Sequence, residues 1–165
     1  MTRAEPADVP YVAVVGPGDG ATPAECAVAE RAGWLLAGRG AVLICGGLGG
    51  VMAAAAKGAR AGGGTAVGLL PGRDRATANA FLSVALATGL GELRNGLVAG
   101  VSDAVIAVGG SWGTHSEIAL AMRAEKPVAV IGGWTVRVPA GAGACPLAAS
   151  SAEEAVGLIF AALGR

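Results

Sequence analysis

Apolar residues in this chain fall into short unbroken runs, separated by glycine turns and by longer stretches with helical spacing. The runs at 11–16 (YVAVVG), 41–47 (AVLICGG), 65–71 (TAVGLLP), 103–110 (DAVIAVGG) and 126–133 (KPVAVIGG) keep polar residues to their ends. Each predicts a strand covered on both faces, since a half-solvated strand would alternate apolar and polar positions. A further strand is read at 82–89 (LSVALATG). The stretches between predict helices. At 22–40, Thr22 is an N-cap, Pro23 suits the first helical position and Gly40 the exit, with Ala27, Ala32, Leu35 and Leu36 on one face. A second helix runs through VMAAAAKGARAGGG. A third lies in LGELRNGLVAGVS, with Leu93, Leu97 and Val101 forming one apolar side, and a fourth begins at Thr114 in THSEIALAMRAE. The segment 134–149 reads as loop. The last helix has Ser151 as its cap and Glu154 three residues on, the spacing of a capping box.

Strands alternating with helices throughout predict an α/β fold. It is a Rossmann-like doubly wound parallel sheet of about six to seven strands with helices on both faces. The 165 residues fit a single domain, with residues 1–10 (MTRAEPADVP) as a loose N-terminal tail.

Composition narrows the function. Twelve basic and twelve acidic residues cancel, and no block of one sign occurs, so nucleic acid is not the expected partner. A small anionic ligand stays open, because backbone amides bind one without net positive charge. Only 15% of residues are charged, which favours a homodimer or homotetramer over a fully solvated monomer. Neither an apolar leader nor a spanning stretch is seen, so no membrane association is expected. Cys26, Cys45 and Cys145 are odd in number and widely spaced, without CxxC. They read as reduced structural cysteines of a cytoplasmic protein. With His115 the only histidine, neither a histidine triad nor a multi-histidine metal site is available, and no metal site is predicted.

The chemistry gathers at three glycine turns that lead from strands into helices: GPGDG with Gly16, CGGLGG with Gly46, Gly47 and Gly49, and VGGSWGT. Glycine lets backbone approach a ligand closely, and a helix start offers unpaired N–H groups and partial positive charge. In the third turn Gly110, Ser111, Trp112, Gly113 and Thr114 form a candidate phosphate cradle. No GxxxxGK[ST] is present, and the second strand ends at Cys45 instead of an acidic residue, so a dinucleotide site is not indicated.

Taken together, CGGLGGVM…KGARAGGGTAVGLLPG, LRN and GGSWGTHSEIALA give a chain that resembles the SLOG superfamily from about residue 11 to 133. That group comprises LOG-like proteins often labelled lysine decarboxylases, and includes cytokinin-activating phosphoribohydrolases, the molybdenum cofactor carrier protein and small DprA-related proteins. The enzymes carry PGGxGTxxE. Here Gly110, Gly113, Thr114 and Glu117 match it, while Gly109 stands at its proline and Ser111 at its second glycine. The enzymes' arginine corresponds to Arg94, 23 residues before Glu117, and Asn95 replaces the usual lysine. The resemblance implies Arg94 and Glu117 as catalytic residues for cleaving the N-glycosidic bond of a nucleoside 5′-monophosphate. The look of LRN and GGSWGTHSE implies the alternative, a non-enzymatic carrier of molybdenum cofactor or another phosphorylated pterin. No further cofactor is required in either case; the bound molecule is a nucleotide monophosphate or the molybdenum cofactor itself.

The residues taken singly keep several roles open. Glu117 is either a carboxylate complementing a helix N-terminus or a ligand for ribose and an oxocarbenium-like centre. Arg94 is a surface arginine or a bidentate anion contact. Trp112 stacks on a base or pterin ring, or covers a subunit contact. His115 lies exposed or at a ligand rim, and Cys45 and Asp103 are structural.

Overall fold

The computed structural model describes residues 8–135, 137–141 and 143–165. Most of the expected N-terminal tail lies outside them. In chain order the elements are β1 (Tyr11–Val15), α1 (Pro23–Gly38), β2 (Val42–Cys45), α2 (Val51–Ala61), β3 (Thr65–Leu70) and β4 (Val84–Ala87). They continue with α3 (Arg94–Val101), β5 (Ala104–Val108), α4 (Trp112–Arg123), β6 (Val128–Ile131), β7 (Leu147–Ala149) and α5 (Ala152–Ala162). The strands form one sheet in the order β4-β3-β2-β1-β5-β6-β7, and every neighbouring pair is parallel. The chain winds from β1 out to β4, then returns to lay β5 against the free side of β1. The order therefore reverses between β1 and β5, where such sheets open a ligand crevice at the carboxyl ends of their strands.

Alternation along the central strands divides the core. Val12, Val14, Leu43, Cys45, Ile106 and Val108 pack under α1, α2 and α5. Ala13, Val15, Ile44, Val105 and Ala107 face Val98, Ala99, Ile118 and Ala121 on α3 and α4. The glycine and alanine content is used in part where α1 meets α2: a Cβ on Gly33 would overlap the Ala55 carbonyl, and one on Gly58 that of Glu30. Both predicted caps form. Thr22 Oγ1 accepts from Glu25 N while Glu25 Oε2 accepts from Thr22 N at 2.7 Å, a closed capping box. Ser151 caps Glu154 N, but the Glu154 carboxylate reaches one residue further back, to Ser150 N at 2.7 Å and Ser150 Oγ.

Three expectations are corrected. A short strand, β7, lies within the segment read as loop, and pairs its three residues with β6 at the sheet edge. The fourth helix starts at Trp112, two residues early, because the Ser111 side chain caps Thr114 N and brings Trp112 and Gly113 into the first turn. The side of α3 bearing Leu93, Leu97 and Val101 faces solvent; the buried face carries Arg94, Asn95, Val98 and Ala99. Two polar residues thus sit where the pattern predicted none, beside the crevice.

Candidate functional site

Arg94 is the first residue of α3, and its side chain runs inward across the carboxyl end of β2. Only 8% of it is exposed. A Cβ on Gly46 would overlap its Nη1, so the bare glycine backbone makes room for the guanidinium. Met52 Sδ borders the same point, which puts Arg94 beside the start of α2. Arg94 Nε and Nη1 are buried and have no hydrogen-bond partner. A buried guanidinium without an acceptor carries an unrecovered desolvation cost, unless an anion binds there.

The N-terminus of α2 adds donors. Its cap, Gly50, has φ +59 and no side chain to bond the first-turn amides. Val51 N is taken by the Pro17 carbonyl at 3.0 Å. The amides of Met52 and Ala53 have no partner among the described residues, as expected for a helix start left open to a ligand. Gly47, at φ +78, and Gly49 complete this turn. Gly16 has a packing position: a Cβ there would overlap the Val108 carbonyl and Val51.

Glu117 lies one turn into α4, 7% exposed. Burial pushes its carboxyl up to about 7, against the opposing pull of Arg94 and with a smaller push from Glu92. Arg94 and Glu117 are close enough to feel each other's charge, yet among the described residues no ion pair within 4 Å joins them. Cys45 is also near; burial, the largest effect, pushes its thiol up to about 11, so it is a packing group and not a thiolate. Among the described residues no group of His, Cys, Asp and Glu has the arrangement of a metal site.

Ser111 Oγ and Thr114 Oγ1 lie 2.9 Å apart and bond each other, and Thr114 is buried. That bond uses one of the two hydroxyl protons, and the Trp112 and Gly113 amides have no partner among the described residues. Gly110 packs against Trp134, and Gly113 lies near Asn95. Asn95 Nδ2 donates to Ser116 Oγ at 2.8 Å, and Ser116 Oγ donates to the Gly113 carbonyl. Gly109 has φ +69, and a Cβ would overlap Glu25 Oε1. Proline, fixed near φ −65°, cannot occupy this backbone. The departure from PGG therefore follows from the local conformation and from Glu25 lying over the turn.

Sequence reasoning missed Trp134 and Glu25. Trp134 stacks on His115 with centroids 4.7 Å apart and meets Trp112 edge-on at 4.9 Å. His115 Nδ1 contacts the Ser111 carbonyl at 3.1 Å, and its Nε2 is buried without a partner. The signal for Trp134 was the Gly132-Gly133 pair closing β6, a fourth glycine turn on the same edge. Asp103 accepts from Tyr11 N at 2.7 Å at the opposite edge, as a structural residue.

The fold is that of a Rossmann-like α/β protein, with the candidate site at the point where strand order reverses. The SLOG cluster4 family profile matches residues 9–157, and the chain belongs to that family. It is 50% identical over 102 residues to an uncharacterized protein of Archaeoglobus fulgidus, covering 62% of this chain and 67% of that one. Among solved structures it resembles the molybdenum cofactor binding protein of Rippkaea orientalis. The identity is 33%, with 96% of this chain and 99% of that one covered and a TM-score of 0.87. The molybdenum cofactor carrier protein of Chlamydomonas reinhardtii is similar at 33% identity, 95% and 99% coverage and TM-score 0.85. DNA processing protein A of Streptococcus pneumoniae shares the fold at 17% identity, 90% and 61% coverage and TM-score 0.68. Among the described residues no helix is long and apolar enough to cross a membrane.

Proposed function

We propose that this protein binds a phosphorylated pterin of the molybdenum cofactor class and carries it as cargo. One observation carries the reading: the buried, unpartnered Nε and Nη1 of Arg94 beside the open start of α2. The 33% identity to the two cofactor-binding proteins, over nearly all of each chain, gives the ligand class. In this reading Arg94 and the Met52 and Ala53 amides hold the phosphate, and bare Gly46 lets it approach the backbone. Glu117, raised to about 7, is partly protonated at neutral pH, and in that form its carboxyl donates to the ligand without opposing the phosphate charge. Trp112 and Trp134 offer ring faces to the pterin. The cargo supplies the redox metal, and this chain's residues bind and shield. The protein acts in the cytoplasm as a homodimer or homotetramer.

A second reading has one observation in its favour. A carboxyl titrating at about 7 is poised as a general acid, and Glu117 has that property beside Arg94. Cleavage of a nucleoside 5′-monophosphate at its N-glycosidic bond would use it. Incubation with AMP and N6-substituted AMPs, followed by chromatography for free base, separates the two. The carrier reading expects no base above the uncatalysed background, together with pterin and molybdenum retained through anaerobic purification. Release of free base by wild-type protein that is lost in Glu117→Gln would overturn it.

A further inference from the structure

The unpaired side-chain groups along the crevice are sorted by kind. At the carboxyl end of β2 they are donors, Arg94 Nε and Nη1. Two strands away in the sheet, at the end of β5, they are acceptors. The half-buried Glu25 uses one carboxylate oxygen, Oε2, to accept from Thr22 N and Thr22 Oγ1 in the cap of α1. Its other oxygen, Oε1, lies against Gly109, and among the described residues no group donates to it. His115 Nδ1 lies 3.1 Å from the Ser111 carbonyl, which can only accept, so Nδ1 carries the proton of the neutral ring. Nε2 is then an acceptor, buried and without a partner. Trp134 ties the two acceptors to one place: it stacks on the His115 ring and borders Gly110, next to Gly109.

We infer that Glu25 selects the ring of the ligand, its Oε1 accepting from the amino and ring N–H groups of a 2-amino-4-oxopyrimidine edge. The inference rests on the carrier reading for the place of the phosphate, at Arg94. Neighbouring strands lie about 4.8 Å apart, so the ends of β2 and β5 are separated by about 10 Å. That is the reach of a two-ring heterocycle with a phosphate on a short arm, and it brings the far edge of the ring to Gly109. The open groups at this end are an acceptor, Glu25 Oε1, and donors, the Trp112 and Gly113 amides. A 2-amino-4-oxo edge presents the complement, two N–H donors followed by a carbonyl oxygen. Donation from these N–H groups to a carboxylate makes charge-assisted hydrogen bonds, the stronger kind. A 2,4-dioxo ring instead sets a second carbonyl oxygen against Oε1, acceptor facing acceptor, and is rejected.

Glu25→Gln tests this, because glutamine keeps the capping box through its carbonyl oxygen and puts an N–H group where Oε1 stood. Calorimetry at about pH 7 compares 6-hydroxymethylpterin phosphate with its lumazine counterpart, in which oxygen replaces the 2-amino group. Wild type should bind the pterin at least about tenfold more tightly. Glu25→Gln should bind the two alike or prefer the lumazine, while keeping the wild-type preference for phosphorylated over dephosphorylated ligand. A purely structural role for Glu25 would weaken both rings together and leave their ratio unchanged. An unchanged ratio in Glu25→Gln, or equal binding of the two rings by wild type, therefore overturns the inference. GMP against IMP, which lacks the 2-amino group, separates this outcome from failure of the carrier reading. A preference for GMP that Glu25→Gln abolishes, with no pterin bound, supports the inference and sinks the carrier reading. Phosphate-dependent pterin binding without discrimination between rings overturns the inference and leaves the carrier reading intact. Binding of none of the four overturns both.

Discussion

Glu117→Gln isolates the least ordinary group in the site. The Glu117 carboxyl is raised from 4.5 to about 7, chiefly by burial. The folded state therefore holds this proton more tightly than the unfolded chain. Its contribution to stability is fully present below about pH 4.5 and is lost as pH rises through about 7. At about 1.4 kcal/mol per unit, the shift amounts to on the order of 3 kcal/mol between acid and mildly alkaline solution. Glutamine keeps the shape and stays neutral, so the variant loses this dependence. It should be close to wild type at pH 5 and more stable by on the order of 3 kcal/mol at pH 9, or roughly 6–12 °C in melting temperature for a chain of this size. Urea unfolding of both proteins at several pH values measures the difference directly. A difference that is flat with pH, or that favours wild type at pH 9, would refute the reasoning, because it would mean Glu117 ionises as freely folded as unfolded.

Other expectations follow from the same geometry. Sulfate, which does not titrate in this range, should bind more weakly as pH rises through about 7, and Glu117→Gln should remove that dependence; calorimetry measures both. Arg94→Met removes an unpartnered buried guanidinium. It should leave melting temperature equal or higher while weakening anion binding by about 2–3 kcal/mol, roughly 30- to 150-fold. Gly46→Ala places a methyl against Arg94 Nη1, the movable end of a side chain; stability should fall by less than about 1 kcal/mol while anion affinity drops at least about tenfold. Gly109→Pro restores the enzymes' motif residue at φ +69 and should lower stability by about 3 kcal/mol or more in urea titration, without creating base-releasing activity.

Much of the fold was legible because its strands are buried on both faces. Runs such as AVIAV in β5 have no polar position to obscure them, and all five residues are buried. β7 was not legible. Leu147–Ala149 has no β-branched residue, sits at the edge and is largely exposed, so neither period nor propensity marks it. The start of α4 was misplaced because Trp and Gly are weak helix formers, and the Ser111 cap outweighed them. On α3 the pattern was misread for a physical reason: spacing identifies an apolar side but not what covers it. Leu93, Leu97 and Val101 have core spacing yet lie outside, while Arg94 and Asn95 take the inner face. Of the candidate site, the Arg94–Glu117 pairing came from a motif 23 residues apart that no local pattern links. Trp134 and the Glu25 cover over Gly109 depend on strand order, which brings the ends of β1, β5 and β6 together.

The central claim is that Arg94 holds the phosphate of a pterin ligand. Calorimetric titration of wild type and Arg94→Met with an oxidised, phosphate-bearing derivative of the cofactor's pterin, and with the same molecule after phosphatase treatment, tests it most directly. The account predicts that wild type binds the phosphorylated form at least about 30-fold more tightly than the dephosphorylated form, and that Arg94→Met binds the two alike and weakly. Equal binding of both forms by wild type, or undiminished preference in Arg94→Met, would contradict it.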